Sequence, residues 1–538
     1  METSDERTQA SPIDQNGLER EQVPANALRH NSFGQIAVFF ACIAAIAPMA
    51  SMFYNVPVIA STAGAAVPLV FLLSAIGILF LGISVWYFAR RLSSAAGFYT
   101  WVRHGLGQGA AFQTGWLLLG AYALFEAALQ AAVGGAMEIT MTTSFGFHLP
   151  GGWVSYAVIG IAIVCLFAFN VTWSVRIMAP FALAEIAALL LLDGAITLKG
   201  GASGHDLLHT FTPAGTALKG VAPGGLLGIG LGMALGILAF VGFETVAVHG
   251  EEVKKPRRTL PLALFSLLLF LTLLYLWTSY AATIGLGWQH AGDTLANVAI
   301  APEQYYILAN RYVGGWFRLV VMGLVLTSNY ASCFAMHNAM THYLYAMGRD
   351  GLLPRVFGRT HPKTQSPHIA SLTQSVFSVM IIAFLACVMQ HTDAQGTTIY
   401  ALGLADGKNF TQTSGVVSYQ WVASIVTMCL ILVYILTNLA VPFFAHKRGE
   451  FHLLWHLVVP VLSTFFLLLP LSSFLLPALP FLSQLATELG FAPTPFPLNM
   501  LPLFVVFWVV CGLIYARYLA RRAPQRYEQL GQIIRGKE

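Results

Sequence analysis

Ala239-Phe240-Val241-Gly242-Phe243-Glu244-Thr245 lies midway along an otherwise apolar segment, and Gly250-Glu251-Glu252-Val253-Lys254-Lys255-Pro256-Arg257-Arg258 follows it. A glycine and a carboxylate inside an apolar run interrupt the helical ladder and bury a potential charge. Hydrocarbon tolerates neither unless they face a cavity within the protein. The stretch therefore reads as a membrane helix broken near its middle, the kind of break that builds a binding site at mid-membrane depth.

The whole chain agrees with that reading. Of its 538 residues, 57% are hydrophobic and 9% charged, against roughly 25% charged in an ordinary soluble domain. This is the composition of a protein that crosses the bilayer many times, with lipid rather than nucleic acid as its surroundings. Residues 1–32 are polar, carry Pro12 and Pro24, and precede the first apolar run at Phe33, so no cleavable signal peptide is expected; the segment reads as a disordered cytoplasmic tail. All six cysteines fall in apolar stretches without metal-type spacing, which predicts packing residues and no disulfide, zinc site or other metal.

A hydrocarbon core about 30 Å thick needs about 20 apolar residues per helix. That requirement predicts twelve spans, near 33–60, 66–90, 110–140, 152–173, 176–198, 224–249, 259–287, 315–346, 367–390, 417–445, 453–476 and 499–519. Starting the first span in the cytoplasm leaves only Lys199, Lys219, Arg311, Arg318 and Lys408 of the 28 basic residues on the outside. Both termini are accordingly expected in the cytoplasm.

A second span shares the defect of the sixth. Ala47-Pro48-Met49-Ala50-Ser51 places a proline, which lacks a backbone donor, in the middle of span one. Spans one and six are five apart, an odd number, so spans one to five and six to ten enter the membrane from opposite sides. The expected fold is an all-α membrane protein with twelve transmembrane helices in a 5+5 inverted repeat, broken at helices 1 and 6. Its core covers residues 33–445, in halves 33–198 and 224–445. Two peripheral helices (453–519) and a basic cytoplasmic tail (520–538) complete it. The outer loops 288–314 and 391–417 are expected to be plain connectors.

Three stretches give the chain a family likeness. Phe240-Val241-Gly242-Phe243-Glu244 leads to Glu251-Glu252 and Pro256-Arg257-Arg258-Thr259-Leu260-Pro261. His337-Asn338-Ala339 leads through Tyr343-Leu344-Tyr345-Ala346-Met347-Gly348-Arg349-Asp350-Gly351-Leu352-Leu353-Pro354. Ser94-Ala95-Ala96-Gly97-Phe98-Tyr99 is joined by Gly105, Gly107 and Gly115-Trp116. Over about 33–445 the chain resembles the amino acid/polyamine/organocation permease superfamily. The resemblance implies a carrier of amino acids or small amines, and it matches Glu244 to a helix-six glutamate linked in relatives to substrate binding or proton handling. It places Glu185 where some proton-coupled relatives carry a lysine in place of bound sodium, and Thr327, Ser328 and Ser332 where sodium-coupled relatives hold an ion. Two departures stand out: the first-helix break is Ala47-Pro48-Met49-Ala50-Ser51 rather than a glycine-rich run, and His342 stands where an arginine is frequent.

The interrupted helices offer helix-end dipoles, amides for a carboxylate and carbonyls for an ammonium, and an amino acid carries both charges. Ile46, Ala47, Met49, Ala50 and Ser51 on the first break and Phe240, Val241 and Gly242 on the second are the candidate substrate contacts, with Phe240 or Phe243 as an aromatic gate. Four carboxylates fall inside spans: Glu126, Glu185, Asp193 and Glu244. Low dielectric disfavours a bare carboxylate, so Glu244 and Glu185 are the candidates for proton coupling. Glu185 can alternatively ligate a cation. Glu126, on one face with Tyr122, Gln130 and Gly134, either meets a second amine of the cargo or joins helices. His337 is either a pH sensor or a helix–helix contact.

The function expected is secondary active transport of an amino acid or small amine across the plasma (inner) membrane, by proton symport or, alternatively, sodium coupling, with no cofactor and as a monomer or homodimer. An amino acid/amine exchanger is the other transport reading. An enzyme is disfavoured because no His-Glu-x-x-His run or nucleotide loop is present, and a channel because matched breaks favour occluded binding.

Overall fold

The computed structural model describes residues 39–524 except 40–41, 44, 93–96, 169–170, 222, 245–255, 350–352, 362–365, 389, 393–397, 401–414, 480–481, 483, 485–487 and 489–498. Both tails, the Glu251-Glu252 and Lys254-Lys255 run, the side chains of Arg257 and Arg258, and Asp350 lie outside the described residues.

The chain is a helical bundle. Its apolar helices are α1 (Pro48–Ala63), α2 (Val67–Ala89), α3 (Gln108–Phe145), α4 (Trp153–Phe167), α5 (Val171–Leu198) and α6 (Gly225–Leu238), followed by α7 (Pro256–Leu286), α8 (Gly315–Arg349), α9 (His368–Val388), α10 (Gly415–Lys447), α11 (Val459–Ala478) and α12 (Leu501–Arg522). Among the described residues nine stretches are long and apolar enough to cross a membrane, with α1 and α2 counted as one and α4 and α6 shorter. The protein is thus a multi-pass membrane protein. Helix boundaries lie within six residues of the sequence reading except at α1, which begins at Pro48 after the break, and at α6, which ends at Leu238.

Burial ranks the helices. The most apolar windows of α3 and α10 are 72% buried and that of α12 is 17% buried. Helices α3 and α10 are therefore the most buried of these helices and α12 the most exposed. Helix α11 is less detached: Ser463 donates to the carbonyl of Gly77 on α2 and receives a hydrogen bond from Asn438 of α10.

Small residues bring α1, α2 and α6 together. A β-carbon on Gly232 would touch Ile59 and Thr62 of α1 and Val70 of α2, and one on Gly228 would overlap the Thr62 carbonyl. Contact of Ile59 and Val70 with one glycine shows that the chain reverses at Gly64–Ala66. Glycines at such spacing let helix backbones approach where lipid gives no hydrophobic drive for packing.

The loop between α7 and α8 is more than a plain connector. It forms a helix, Glu303–Tyr312, whose Tyr305 stacks on Phe53 of α1 with ring centroids 3.9 Å apart and an interplanar angle of 11°. The loop after α9 contains a short antiparallel ladder, Gln390–Thr392 with Thr398–Tyr400; these are the two strands among the described residues.

Candidate substrate and ion site

The first break is present, the sixth helix ends in turns at the second, and the two face each other; the continuation after Glu244 lies outside the described residues. Ala47 adopts φ 52° and ψ 70° and ends the turn closed by its amide hydrogen bond to the Ile43 carbonyl (2.9 Å). Helix α1 restarts at Pro48, whose missing donor is no loss in a first turn. A left-handed conformation at a residue with a β-carbon costs about 1–2 kcal/mol. Helix α6 stops at Leu238 and dissolves into tight turns through Glu244, with Gly242 at φ 109°. A β-carbon on Gly242 would come within 2.8 Å of Ile46 Cγ1. The Ser51 hydroxyl donates to the Ala239 carbonyl (3.5 Å), as does the hydroxyl of Tyr275 on α7 (2.9 Å).

A small cavity lies at this junction. Ile46, Ala50 and Ser51 line it from the first break, Leu238 and Val241 from the second, and Phe125 and Leu129 from α3. Tyr54, Asn55, Ser332 and Tyr419 complete its wall. About 20 Å³ is open to the centre of a water molecule, enough for little more than one water. An amino acid enters only if helices or side chains move apart.

Of the candidate substrate contacts, Ile46, Ala50, Ser51 and Val241 thus face the cavity. Ala47, Met49, Gly242 and the two phenylalanines stand behind it: Phe240 packs edge-on to Tyr275 and Phe243 against Tyr434.

The carboxylates have separate tasks. Glu185 of α5 is 2% exposed. It accepts the Ser328 hydroxyl of α8 (2.6 Å) and the backbone amide of Met49, while Ser328 Oγ accepts the Ala50 amide (3.1 Å). Helix α1 has no side-chain cap of its own. Its first-turn donors are satisfied instead by two side chains from other helices, with a carboxyl group at the positive end of the dipole. Two amides proposed from sequence for the cargo are therefore already engaged. Thr327 turns away and donates to the Leu324 carbonyl (2.9 Å), so Thr327, Ser328 and Ser332 do not converge.

Glu244 works locally. Its Oε2 accepts the Gly242 amide (2.9 Å), and the Tyr122 hydroxyl of α3 is a further partner. Asp193, on α5, receives a hydrogen bond from Thr278 of α7. Glu126 joins helices: its Oε1 lies 2.9 Å from His337 Nδ1, and His337 Nε2 lies 2.7 Å from Ser371 Oγ of α9. The polar face read on α3 is divided, since Tyr122 serves the second break while Gln130 and Gly134 pack against α4 at Gly160 and Trp153. His342 is exposed on α8.

Sequence reasoning missed Tyr54, Asn55, Phe125, Leu129, Leu238 and Tyr419. Asn55 accepts the Tyr419 hydroxyl (2.8 Å) and donates to Ser51 Oγ (3.3 Å), and Tyr54 receives Asn329 Nδ2 (2.6 Å). One signal was available. Ser51 and Asn55 are four apart immediately after the break, a polar pair on one face of an apolar helix.

The site is thus a small cavity between apolar membrane helices, where the break in α1 meets the end of α6. The chain belongs to the amino acid permease family, whose profile matches residues 33–511. It is 26% identical over 343 residues to a branched-chain amino acid permease of Lactococcus lactis subsp. cremoris, covering 61% of this chain and 70% of that one. A branched-chain amino acid permease of Bacillus subtilis is 25% identical over 337 residues, covering 60% of this chain and 68% of the relative. Cationic amino acid transporter 4 of Mus musculus is 26% identical over 344 residues, 60% of this chain; the match spans half the length of that relative.

Proposed function

We propose that this chain is a secondary active transporter that carries an amino acid across the plasma membrane by alternating access, driven by a proton gradient. Twelve spans, cytoplasmic termini and a 5+5 inverted repeat in which α1 and α6 correspond belong to the same proposal. An amino acid cargo is supported by the names of the relatives. The observation that carries the mechanism is the junction of the two breaks, with a carboxylate fastened to each: Glu185 on the Met49 and Ser328 donors and Glu244 on the Gly242 amide.

Proton coupling follows from what the start of α1 requires. A charged Glu185 is the anion at this helix end. When it takes a proton, its charge-assisted hydrogen bond from Ser328 weakens and the helix start loses its negative partner. The carboxylate of an incoming amino acid can then replace that charge, so proton and cargo are favoured together. The α1–α5–α8 contact loosens in the same step, which lets α1 tilt and open the cavity. Sodium is the weaker reading. The Ser328 hydroxyl donates to Glu185 while its oxygen accepts from Ala50, and Thr327 is bonded to its own helix.

The test is uptake of labelled amino acids into liposomes bearing the purified protein, with a pH or a sodium gradient imposed in turn. Accumulation against a concentration gradient is expected with acid outside and not with sodium. Exchange without accumulation under either gradient would replace symport by the exchanger reading.

A further inference from the structure

We infer that the cargo is a neutral amino acid with an aliphatic side chain, and not a cationic amino acid or a diamine. The inference rests on the transport reading and deepens it. It starts from the cavity wall, which contains no charged side chain among the described residues: Ile46, Ala50, Phe125, Leu129, Leu238 and Val241 form its apolar part. The polar wall groups bond largely to one another, as in the Tyr419–Asn55–Ser51 chain.

The nearby acids are all engaged elsewhere. Glu126 is the decisive one, because it directly follows the wall residue Phe125 on α3. Its side chain is 0% exposed and does not line the cavity; its Oε1 meets His337, which is itself held by Ser371, while its Oε2 is buried without a hydrogen-bond partner among the described residues. This triad links α3, α8 and α9 and leaves the cavity without the counter-charge that sequence reading offered to a second amine. Glu185 is held at the start of α1 and Glu244 at Gly242.

A lysine or arginine side chain placed here would bring an uncompensated charge out of water, at a cost of several kcal/mol. An aliphatic side chain instead gains from each CH₂ it buries. Each methylene added from alanine to valine to leucine therefore improves binding until the wall is filled. The relatives are named for branched-chain and for cationic amino acids, and an uncharged wall suits the former kind of cargo.

The test is counterflow in liposomes preloaded in separate batches with leucine, arginine or putrescine, with external competitors at equal concentration. Leucine, isoleucine and valine are expected to exchange and to compete about tenfold better than alanine, arginine, lysine or putrescine, a gap of about 1.4 kcal/mol. Arginine or putrescine exchanging as well as leucine would overturn this inference and leave the carrier reading intact. Glycine or alanine outcompeting leucine would do the same. If no batch exchanges any amino acid or amine, the carrier reading fails and takes this one with it. A second variant checks the wall directly: Leu129→Ala should shift preference at least severalfold toward phenylalanine in protein that elutes as a single species. An unchanged order of competitors in that variant would remove Leu129 from the wall and overturn the inference.

Discussion

The two breaks solve one problem by opposite means. In α6 the interruption is local: Gly242 takes a positive φ without a β-carbon to strain it, and Glu244, two residues on, caps its amide. In α1 the interruption falls on Ala47, which has a β-carbon, and its cap comes from Glu185 and Ser328 on two other helices. A locally capped break can move as one piece. A remotely capped break is a joint between helices, so the charge on its capping group governs how those helices sit. Under the proposed proton coupling, the asymmetry gives the stronger role to Glu185 and a supporting one to Glu244.

The largest effect should come from Glu185→Gln. The amide keeps the shape but cannot exchange a proton, so pH-driven accumulation should fall to background while leucine counterflow persists. Glu244→Gln, measured in the same liposomes, should slow both activities without separating them. The reverse pattern would break the comparison and make the second break the proton-sensitive one.

Ser328→Ala comes next. It removes an acceptor for the Ala50 amide and a donor to Glu185, and stranded buried groups cost about 1–3 kcal/mol each. A lowered unfolding temperature and accumulation reduced severalfold are expected in parallel; full accumulation would show that the start of α1 needs no remote cap. Gly242→Ala and Ala47→Gly then test the backbone directly, with opposite signs. The first forces a β-carbon against Ile46 at φ 109° and should destabilise by about 1–3 kcal/mol. The second relieves left-handed strain and should raise thermal stability by up to about 1 kcal/mol. Equal signs in a thermal-unfolding assay would mean that the breaks are not distinguished by strain.

The smallest effect lies far from both breaks, at Glu450 in the loop after α10. The hydrogen bond from the Arg91 guanidinium, 2.7 Å away, holds its carboxyl below the usual carboxylate range. A depressed folded-state pKa means that the contribution is present at neutral pH and is lost as pH falls through that lowered value. The pair is exposed, so Arg91→Ala should leave the unfolding temperature at pH 7 almost unchanged. A clear drop would show that surface charge matters here as much as the buried caps.

The breaks could be read in the sequence because Pro48, Gly242 and Glu244 announce them within a few residues. Their caps could be read only singly. Glu185 was assigned to a proton and Ser328 to an ion, but nothing in either helix tells that residues 143 apart in the chain meet at 2.6 Å. Glu126 and His337, 211 apart, were noted separately for the same reason. Periodicity identifies the faces of one helix and not which neighbour each face meets. The cavity wall was harder still. Among 37 phenylalanines and 19 tyrosines, only packing distinguishes Phe125, Tyr54 and Tyr419. The α7–α8 loop was underestimated because its apolar and aromatic residues lie in a run too short to count as a span.

That loop supplies a ready optical reporter. Tyr305 lies flat on Phe53, one to two turns beyond the first break, and aromatic contacts of this kind contribute only about 0.5–1.5 kcal/mol beyond area burial. Any swing of α1 relative to the helix Glu303–Tyr312 must slide or part these rings. A tryptophan in place of Tyr305 would turn that separation into a change of fluorescence, so each turnover could be followed in real time without labelling the cargo.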